Sequence, residues 1–367
     1  MSGKFGPRTA GPGEVCIVSI NLPAGTGTTE LLTRLARYRE LTLQGLLAAL
    51  PAREPRRYLY DPLAAHIARM GKGLRPALCI VTCQAFGGSE EDALQSAVAL
   101  EMLHNAFLVH DDIEDESEFR RNLPTMPAEY GVPLAVNAGD AMNALSLKLV
   151  RENLPKLGSH LTWKVFQEFE HLMLQSLEGQ AFELGWIRDN RCDITADDYL
   201  MMVLKKTCWY SFIHPCRIGA LIATRDTLDL NRFNRFGYFM GVAFQVQDDV
   251  LNLVGDRDTY GKEIGGDIWE GKRTLMLVHL FRHCNPEERD RLSAFLGRPR
   301  LTRSTADVHW VLERMEQYGS IEHARSVARH FVGATLHEFT TAYGDTPDTE
   351  HKRFLAELIQ YMIDRNV

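Results

Sequence analysis

The chain has few of the features that mark membrane, disulfide-rich or nucleic-acid-binding proteins. No apolar stretch approaches the roughly 18–20 residues that span a bilayer. The longest early stretch, Val15 to Leu22, lacks the basic start and small-residue cleavage site of a signal peptide. The net charge of -7, from 41 basic and 48 acidic residues, argues against a general nucleic-acid binder. We therefore expect a cytoplasmic protein with no transmembrane segment and no nucleic-acid partner.

Paired cysteines are also missing. The seven cysteines are scattered, odd in number and without a Cys-x-x-Cys pair. Cys79 and Cys83 are four residues apart on a predicted helix, but buried, reduced thiols are the commoner outcome of that pattern. Neither a zinc site nor a disulfide framework is expected.

Alternating apolar and polar positions bounded by hairpin turns, which mark strands, are scarce. From about residue 29 apolar residues instead recur at three- and four-residue spacing, as at Leu43, Leu46 and Leu50. Proline and glycine divide these segments. The pattern predicts an all-α fold in which residues 29–367 form a single-domain bundle of ten to thirteen helices with a central cavity. Residues 1–28, rich in Gly, Pro, Thr and Ser, are predicted to be a flexible N-terminal arm.

Two aspartate-rich clusters end two of the apolar helical runs, about 137 residues apart. In an α-helix, positions i, i+1 and i+4 lie within roughly a 100° arc, so Asp111, Asp112 and Asp115 are predicted to project to one side. Their carboxylates would repel one another unless a cation joined them, and a few carboxylates plus substrate phosphates are what Mg²⁺ prefers. The clusters are therefore predicted to be two walls of a metal-diphosphate site. The first cluster is Asp111-Asp112-Ile113-Glu114-Asp115, and the second is Asp248-Asp249-Val250-Leu251-Asn252.

An aromatic floor is predicted beneath the first cluster. Phe107 and His104 fall on the face of Asp111, one and two turns toward the helix N-terminus. A carboxylate rim above an aromatic floor suits a ligand with a charged head and an apolar tail. The alternative is a solvated acidic helix end, but an acidic C-terminal turn opposes the helix dipole.

Basic side chains occur in three short segments around these clusters. Guanidinium forks bind phosphate oxygens well, and flanking glycines let the backbone approach an anion or let a loop close over a substrate. The segments contain Arg120 and Arg121, Lys72 and Arg75 in the loop 71–76, and Lys262 and Lys272 in the Gly-rich stretch 260–274.

With these motifs the chain resembles the trans-isoprenyl diphosphate synthases, or polyprenyl synthetases, over about residues 30–365, and its motifs look most like those of geranylgeranyl diphosphate synthases. Several matching blocks in the same order make coincidence improbable. They are Gly71–Pro76, His104 with the first cluster and Arg120-Arg121, Ala138-Gly139-Asp140, Glu178-Gly179-Gln180, Lys206-Thr207, Phe244-Gln245 with the second cluster, and Gly261–Thr274.

The resemblance implies an isoprenoid-synthase-type bundle, usually a homodimer, that condenses isopentenyl diphosphate head-to-tail with an allylic diphosphate. It also implies a role for each matching residue. Asp111, Asp112, Asp115 and Asp248 would hold about three Mg²⁺ with the allylic diphosphate, supported by Asp249 and Asn252. Arg120, Lys206, Gln245, Lys262 and Lys272 would grip the allylic diphosphate. Lys72, Arg75, His104 and Arg121 would bind isopentenyl diphosphate, and Thr207 would stabilise the cation.

The chain departs from the family pattern at a few positions. Asn252 stands where aspartate is common, and Asn122 replaces the glycine that usually follows the arginine pair. The first cluster and Asn252 favour a twenty-carbon product, geranylgeranyl diphosphate. Phe107 could shorten the pocket toward the fifteen carbons of farnesyl diphosphate, so both lengths stay open.

Two other functions remain to be weighed. A terpene cyclase of the related fold needs only the allylic site, and the retained Lys72, Arg75, His104 and Arg121 argue against it. A silent partner subunit would have lost first-cluster carboxylates, which are all present. The apolar face of residues 135–150 belongs either to a dimer interface or to the core, and sequence alone does not separate the two.

Overall fold

The structure is a computed structural model that describes residues 27–254 and 265–363. The predicted arm, apart from its last two residues, lies outside the described residues, and so does Lys262. The α-helices are α1 Gly27–Ala49, α2 Asp61–Ala68, α3 Leu74–Ala85, α4 Glu90–Glu114, α5 Met126–Tyr130, α6 Val132–Arg151, α7 Leu154–Arg188, α8 Ala196–Val203, α9 His214–Thr224, α10 Arg232–Val254, α11 Gly266–Glu270, α12 Leu275–His283, α13 Pro286–Leu296, α14 Thr305–Gln317, α15 Ser320–Tyr343 and α16 Glu350–Ile363.

The predicted all-α fold is confirmed. The described residues hold more helices than the ten to thirteen predicted, because five-residue helices such as α5 and α11 are too short to show a helical period. Two π-helical segments, Arg56–Tyr60 and Leu204–Ile213, and a 3₁₀ turn, Arg300–Thr302, complete the helical elements.

A hairpin of two-residue strands, β1 Phe119–Arg120 and β2 Leu123–Pro124, follows the first cluster. Its turn residues Arg121 and Asn122 have φ values of 53° and 60°. Asparagine adopts this left-handed region more readily than most residues, which explains how Asn122 replaces the usual glycine. The hairpin was not predicted, since two-residue strands are too short to alternate.

Two apolar clusters form the core. The larger is centred on α3, α4, α6 and α9, and the smaller joins α8 and α10 to α12, α13, α14 and α15. In the region 135–150, Ala135, Ala138, Met142 and Leu149 are buried in the larger cluster. These apolar positions therefore belong to the core of the chain itself.

The first cluster lies at the C-terminal end of α4. α4 begins after Ser89, whose hydroxyl accepts a hydrogen bond from the Asp92 amide at 3.1 Å. It ends at Glu114, and Asp115 is its C-cap residue.

The six cysteines within the described ranges are free thiols, and five of them are buried. None of the helices in the described part of the chain is long and apolar enough to cross a membrane.

Candidate active site

A cavity of about 260 Å³ lies between α4, α7, the π-helical segment 204–213, α10 and the turn before α12. Asp111 of the first cluster and Asp248 and Asp249 of the second all lie on its wall. The structure thus brings the two clusters to one cavity, although they are distant in sequence. The other predicted site residues on this wall are Arg75, His104, Phe107, Arg120, Lys206, Thr207, Gln245 and Lys272.

Lys206 and Thr207 reach the wall from the π-helical segment, the kind of helix irregularity that is frequent at functional sites. α7 approaches this segment closely at Gly179, where a Cβ atom would lie 2.2 Å from the main-chain nitrogen of Lys206. Only glycine fits there, so Gly179 allows α7 and the π-helical segment to share the cavity.

The first cluster is bound to internal cations. Arg120 contacts Asp112 at 2.7 Å and Asp111 at 3.4 Å, and Lys272 contacts Asp115 at 2.7 Å. Burial would lower the pKa of the Arg120 guanidinium, but these carboxylates raise it overall. Of the three aspartates predicted to project to one side, Asp111 lines the cavity. Asp112 pairs with Arg120, which also contacts Asp111, and Asp115 at the helix end pairs with Lys272.

Asp115 has a perturbed ionisation. Burial, and then the charge of Asp111, raise the pKa of its carboxyl to about 7, although Lys272 acts in the opposite direction. Burial lowers the pKa of Lys272, but Asp115 and Glu270 outweigh it and raise that pKa well above its ordinary value. Lys272 is therefore a fixed cation on the cavity wall at neutral pH.

Asp249 of the second cluster is held by a hydrogen-bond chain. Tyr199 donates to it at 2.7 Å, and the Gln245 amide donates at 2.8 Å. Thr207 in turn donates to the Gln245 oxygen at 2.9 Å. Burial raises the pKa of Asp249 to about 7 in spite of these donors. Asn252 is turned inside the fold, where its oxygen accepts a hydrogen bond from the Asp267 amide at 3.0 Å.

Arg75 lies on the same cavity wall, beside His104 and Tyr210. It contacts the His104 ring nitrogen at 3.2 Å and donates to the Tyr210 hydroxyl at 2.9 Å. Burial, and then Arg75, lower the pKa of His104 well below its ordinary value, so the imidazole is neutral. Lys72 and Arg121 lie outside this wall, where they donate to the Tyr361 hydroxyl and the Arg69 carbonyl, respectively.

Several polar residues on the wall were missed from the sequence. Glu183 pairs with Lys206, and Gln180 donates to Asp111 at 3.5 Å. Gln180 and Glu183 are three residues apart on α7, so they share one face of the helix. The matching stretch ends at Gln180, and this spacing is the signal that could have pointed to Glu183. Tyr199, which gave no signal in the sequence, also lies on the wall, and Tyr210 lies there as expected of a core or cavity-lining side chain.

The donor chemistry of the wall fits Mg²⁺ bound together with a diphosphate. Residues 27–254 and 265–363 contain no group of three or more His, Cys, Asp or Glu side chains arranged to hold a metal ion. Mg²⁺, however, is usually held by one or two carboxylates plus substrate phosphates rather than by an all-protein cage. Asp111 and Asp248, which face one cavity, offer such a partial set of oxygen ligands.

Comparison with known proteins gives one consistent family. The polyprenyl synthetase family profile matches residues 56–315. A geranylgeranyl diphosphate synthase of Sulfolobus acidocaldarius is 37% identical over 227 residues, which are 62% of this chain and 68% of the relative. A short chain isoprenyl diphosphate synthase of Methanothermobacter thermautotrophicus is 33% identical over 258 residues, 70% of this chain and 76% of the relative.

A solved structure supports the same conclusion. The geranylgeranyl pyrophosphate synthetase of Pyrococcus horikoshii superimposes with a TM-score of 0.81 at 27% identity, covering 93% of this chain and 100% of that one. Together with the predicted motifs on one cavity wall, these matches show that the chain belongs to the polyprenyl synthetase family of trans-prenyltransferases.

Proposed function

We propose that the protein condenses isopentenyl diphosphate with an allylic diphosphate, head to tail, and releases inorganic diphosphate and a short trans-prenyl diphosphate. The supporting observation is one cavity whose wall combines aspartates of both clusters with fixed cations and aromatic rings. Geranylgeranyl diphosphate is the favoured product, and farnesyl diphosphate is the alternative. Residues 29–367 act as a single catalytic domain in this proposal.

Loss of diphosphate from the allylic substrate is the first chemical step. Bound Mg²⁺, about three ions on Asp111, Asp112, Asp115 and Asp248, would add positive charge around the departing diphosphate. Arg120, Lys206 and Lys272 supply fixed positive charge at the same wall, where transition-state charge develops. Asp112 pairs with Arg120 and Asp115 with Lys272 through one carboxylate oxygen each, and a trianionic diphosphate would give those two cations a second anionic partner. Lys262, outside the described residues, is proposed to act with them.

The aromatic part of the cavity protects the allylic cation. Phe107 and Tyr210 pack edge to face, with ring centroids 5.5 Å apart. They exclude water that would otherwise capture the cation. Thr207 and Gln245, which are hydrogen-bonded to each other on the same cavity wall, are proposed to stabilise the cation as it forms.

Isopentenyl diphosphate is proposed to bind beside Arg75 and His104, with Lys72 and Arg121 reaching its diphosphate from outside the cavity wall. Its double bond attacks C1 of the allylic cation and forms the new C–C bond. The resulting tertiary cation then loses a proton to the released diphosphate, which restores a double bond. No protein nucleophile is needed.

The test is a turnover assay with labelled isopentenyl diphosphate and each of dimethylallyl, geranyl and farnesyl diphosphate, followed by product chromatography. A longer prenyl diphosphate is expected with at least one primer. Failure with every primer in the presence of Mg²⁺ would reject the proposal. A hydrocarbon or alcohol formed from farnesyl diphosphate without isopentenyl diphosphate would favour a cyclase instead.

We further propose that the protein is a homodimer. Large apolar side chains remain exposed along one face of α7, with Trp163 59% and Leu174 55% exposed. Val132 and Val136 on the neighbouring α6 are 51% and 40% exposed. Apolar faces of this kind on a globular chain are typical of protein–protein contacts.

A further inference from the structure

The position of Lys272 depends on two carboxylates. Its ammonium contacts Asp115 at 2.7 Å and Glu270 at 2.6 Å, and its side chain is only 15% exposed. Asp115 is the C-cap residue of α4, and Glu270 ends α11, so the ammonium joins two elements that are far apart in sequence. Any shift of Glu270 relative to Asp115 moves the charge of Lys272 on the cavity wall.

Arg300 binds both of these anchoring points. Its Nη1 atom lies 3.2 Å from a Glu270 carboxylate oxygen and 3.3 Å from the Asp115 carbonyl oxygen. Arg300 begins the 3₁₀ turn after α13 and is not among the side chains on the cavity wall. Because it contacts both the end of α4 and the end of α11, Arg300 fixes the distance between these two helix ends without itself lining the cavity.

Glu270 has its two oxygens bound to different cations. One oxygen pairs with Lys272 and the other with Arg300. If Arg300 were absent, Glu270 would keep its full charge for Lys272 and compete more strongly with Asp115 and with any diphosphate. Positive charge on Arg300 thus leaves Lys272 available to an anion in the cavity.

Two neighbouring arginines act differently. Arg303 donates to the carbonyl oxygens of Ile268, at 3.2 Å, and Leu296, at 2.9 Å, and Arg273 donates to that of Arg191 at 2.9 Å. These guanidiniums bind main-chain oxygens, and Arg273, which lies on the wall, also donates to the Asn190 side-chain oxygen at 2.9 Å. Of the three arginines, only Arg300 is paired with a carboxylate that also binds Lys272.

We propose that Arg300 is a positioning residue for the allylic diphosphate site, acting through Glu270 to place Lys272. The inference rests on the proposed function, because it assigns Lys272 to the allylic diphosphate. Misplacing a group that orients substrate typically costs about tenfold to a hundredfold in affinity or rate.

The test compares Arg300→Gln with Arg298→Gln. Arg298 is two residues away and pairs with Asp307 at 3.1 Å on the surface, so its variant makes the same change in charge. Arg300→Gln is expected to raise the KM for the allylic diphosphate about tenfold or more and leave the KM for isopentenyl diphosphate unchanged. Both variants should keep the wild-type melting temperature. Equal rises in both KM values, or a clear loss of stability in Arg300→Gln alone, would overturn the inference.

A double-mutant cycle with Glu270→Gln tests the route of the effect. If Arg300 acts through Glu270, Arg300→Gln adds little in the Glu270→Gln background, whereas independent effects would add. Additive effects would contradict the proposed route.

A binding measurement separates this inference from the proposed function. Calorimetry without metal measures the affinity for farnesyl thiolodiphosphate, in which sulfur replaces the oxygen between C1 of the farnesyl chain and phosphorus. This measurement needs no turnover. Weaker binding to Arg300→Gln than to Arg298→Gln supports the inference even if the wild-type protein forms no prenyl product. Equal binding to both variants overturns it even if the wild-type protein is active.

Discussion

At the residue scale, the basic side chains of the site are paired with its carboxylates. Arg120, Lys206 and Lys272 each contact at least one carboxylate of the first cluster. These contacts keep three cations at the cavity although burial alone disfavours charge there. The same cations are then in place for the phosphates of a substrate.

Lys206 is expected to be essential for turnover, because it carries fixed charge on the cavity wall. Lys206→Met should lower kcat about a hundredfold or more in a steady-state assay, since removal of one preorganised electrostatic group has that order of effect. The adjacent Lys205→Met is the matched control, because Lys205 pairs with Glu178 and is not on the wall. Similar activity in the two variants would show that Lys206 carries no special role.

Phe107 is expected to limit the length of the product. It lies on the cavity wall against Tyr210, so Phe107→Ala should deepen the apolar part of the cavity and shift the product distribution to longer chains. Chromatography of the prenyl products measures the shift. Phe239→Ala removes a half-buried phenyl ring from α10 that is not on the wall and serves as control. An unchanged distribution of product chain lengths in Phe107→Ala would show that Phe107 does not limit the depth of the cavity.

At the scale of elements, an ion-pair cluster joins α7 to α9 across the π-helical segment. Glu168 contacts Arg217 through two bonds of 2.7 Å and His214 at 2.7 Å. Burial alone would raise the pKa of Glu168, but the hydrogen bonds from Arg217 and His214 lower it to about 2. Because both helices flank the segment that carries Lys206, this cluster also steadies the cavity wall.

Glu168→Gln is expected to lower the melting temperature by several degrees at pH 7. The variant loses the negative charge that pairs with Arg217, and a hydrogen bond to a charged group contributes about 2 kcal/mol. The folded-state pKa of about 2 lies below the ordinary 4.5, so the stabilisation is present above pH 4.5 and is lost as the pH falls toward 2. The melting temperatures of Glu168→Gln and the wild-type protein, measured by thermal unfolding, should therefore converge as the pH is lowered from 7 to 2.

Glu170→Gln, an exposed change on the same helix, is the control and should unfold like the wild-type protein at every pH. A difference between Glu168→Gln and wild type that stayed constant across this pH range would mean that the ionisation of Glu168 does not stabilise the fold.

At the scale of the whole molecule, the exposed apolar face of α7 is expected to be covered in a homodimer. Leu174→Arg places a charge on that face and should shift the protein from dimer to monomer in light scattering after gel filtration. Leu301→Arg makes the same change at a site that is 90% exposed, and it should not alter the mass. A monomeric wild-type protein, or a dimeric Leu174→Arg variant, would contradict the proposal.

The helical character of the chain followed from the spacing of its apolar residues. The position of the two aspartate clusters near helix ends followed from the apolar runs that precede them. Those features are local, since each depends on residues within one or two turns. The hairpin after the first cluster and the five-residue helices escaped prediction because they are too short to contain a period.

The amino-acid sequence by itself determined which residues have the chemistry for a diphosphate site and in what order they occur. Only the tertiary structure decided which of them share the cavity wall. It paired Asp112 with Arg120 and Asp115 with Lys272, brought Glu183 to Lys206, and placed Arg300 against Glu270, which also binds Lys272. The physical reason is that these contacts join side chains from separate helices. Their geometry depends on how the helices pack, which no local pattern records.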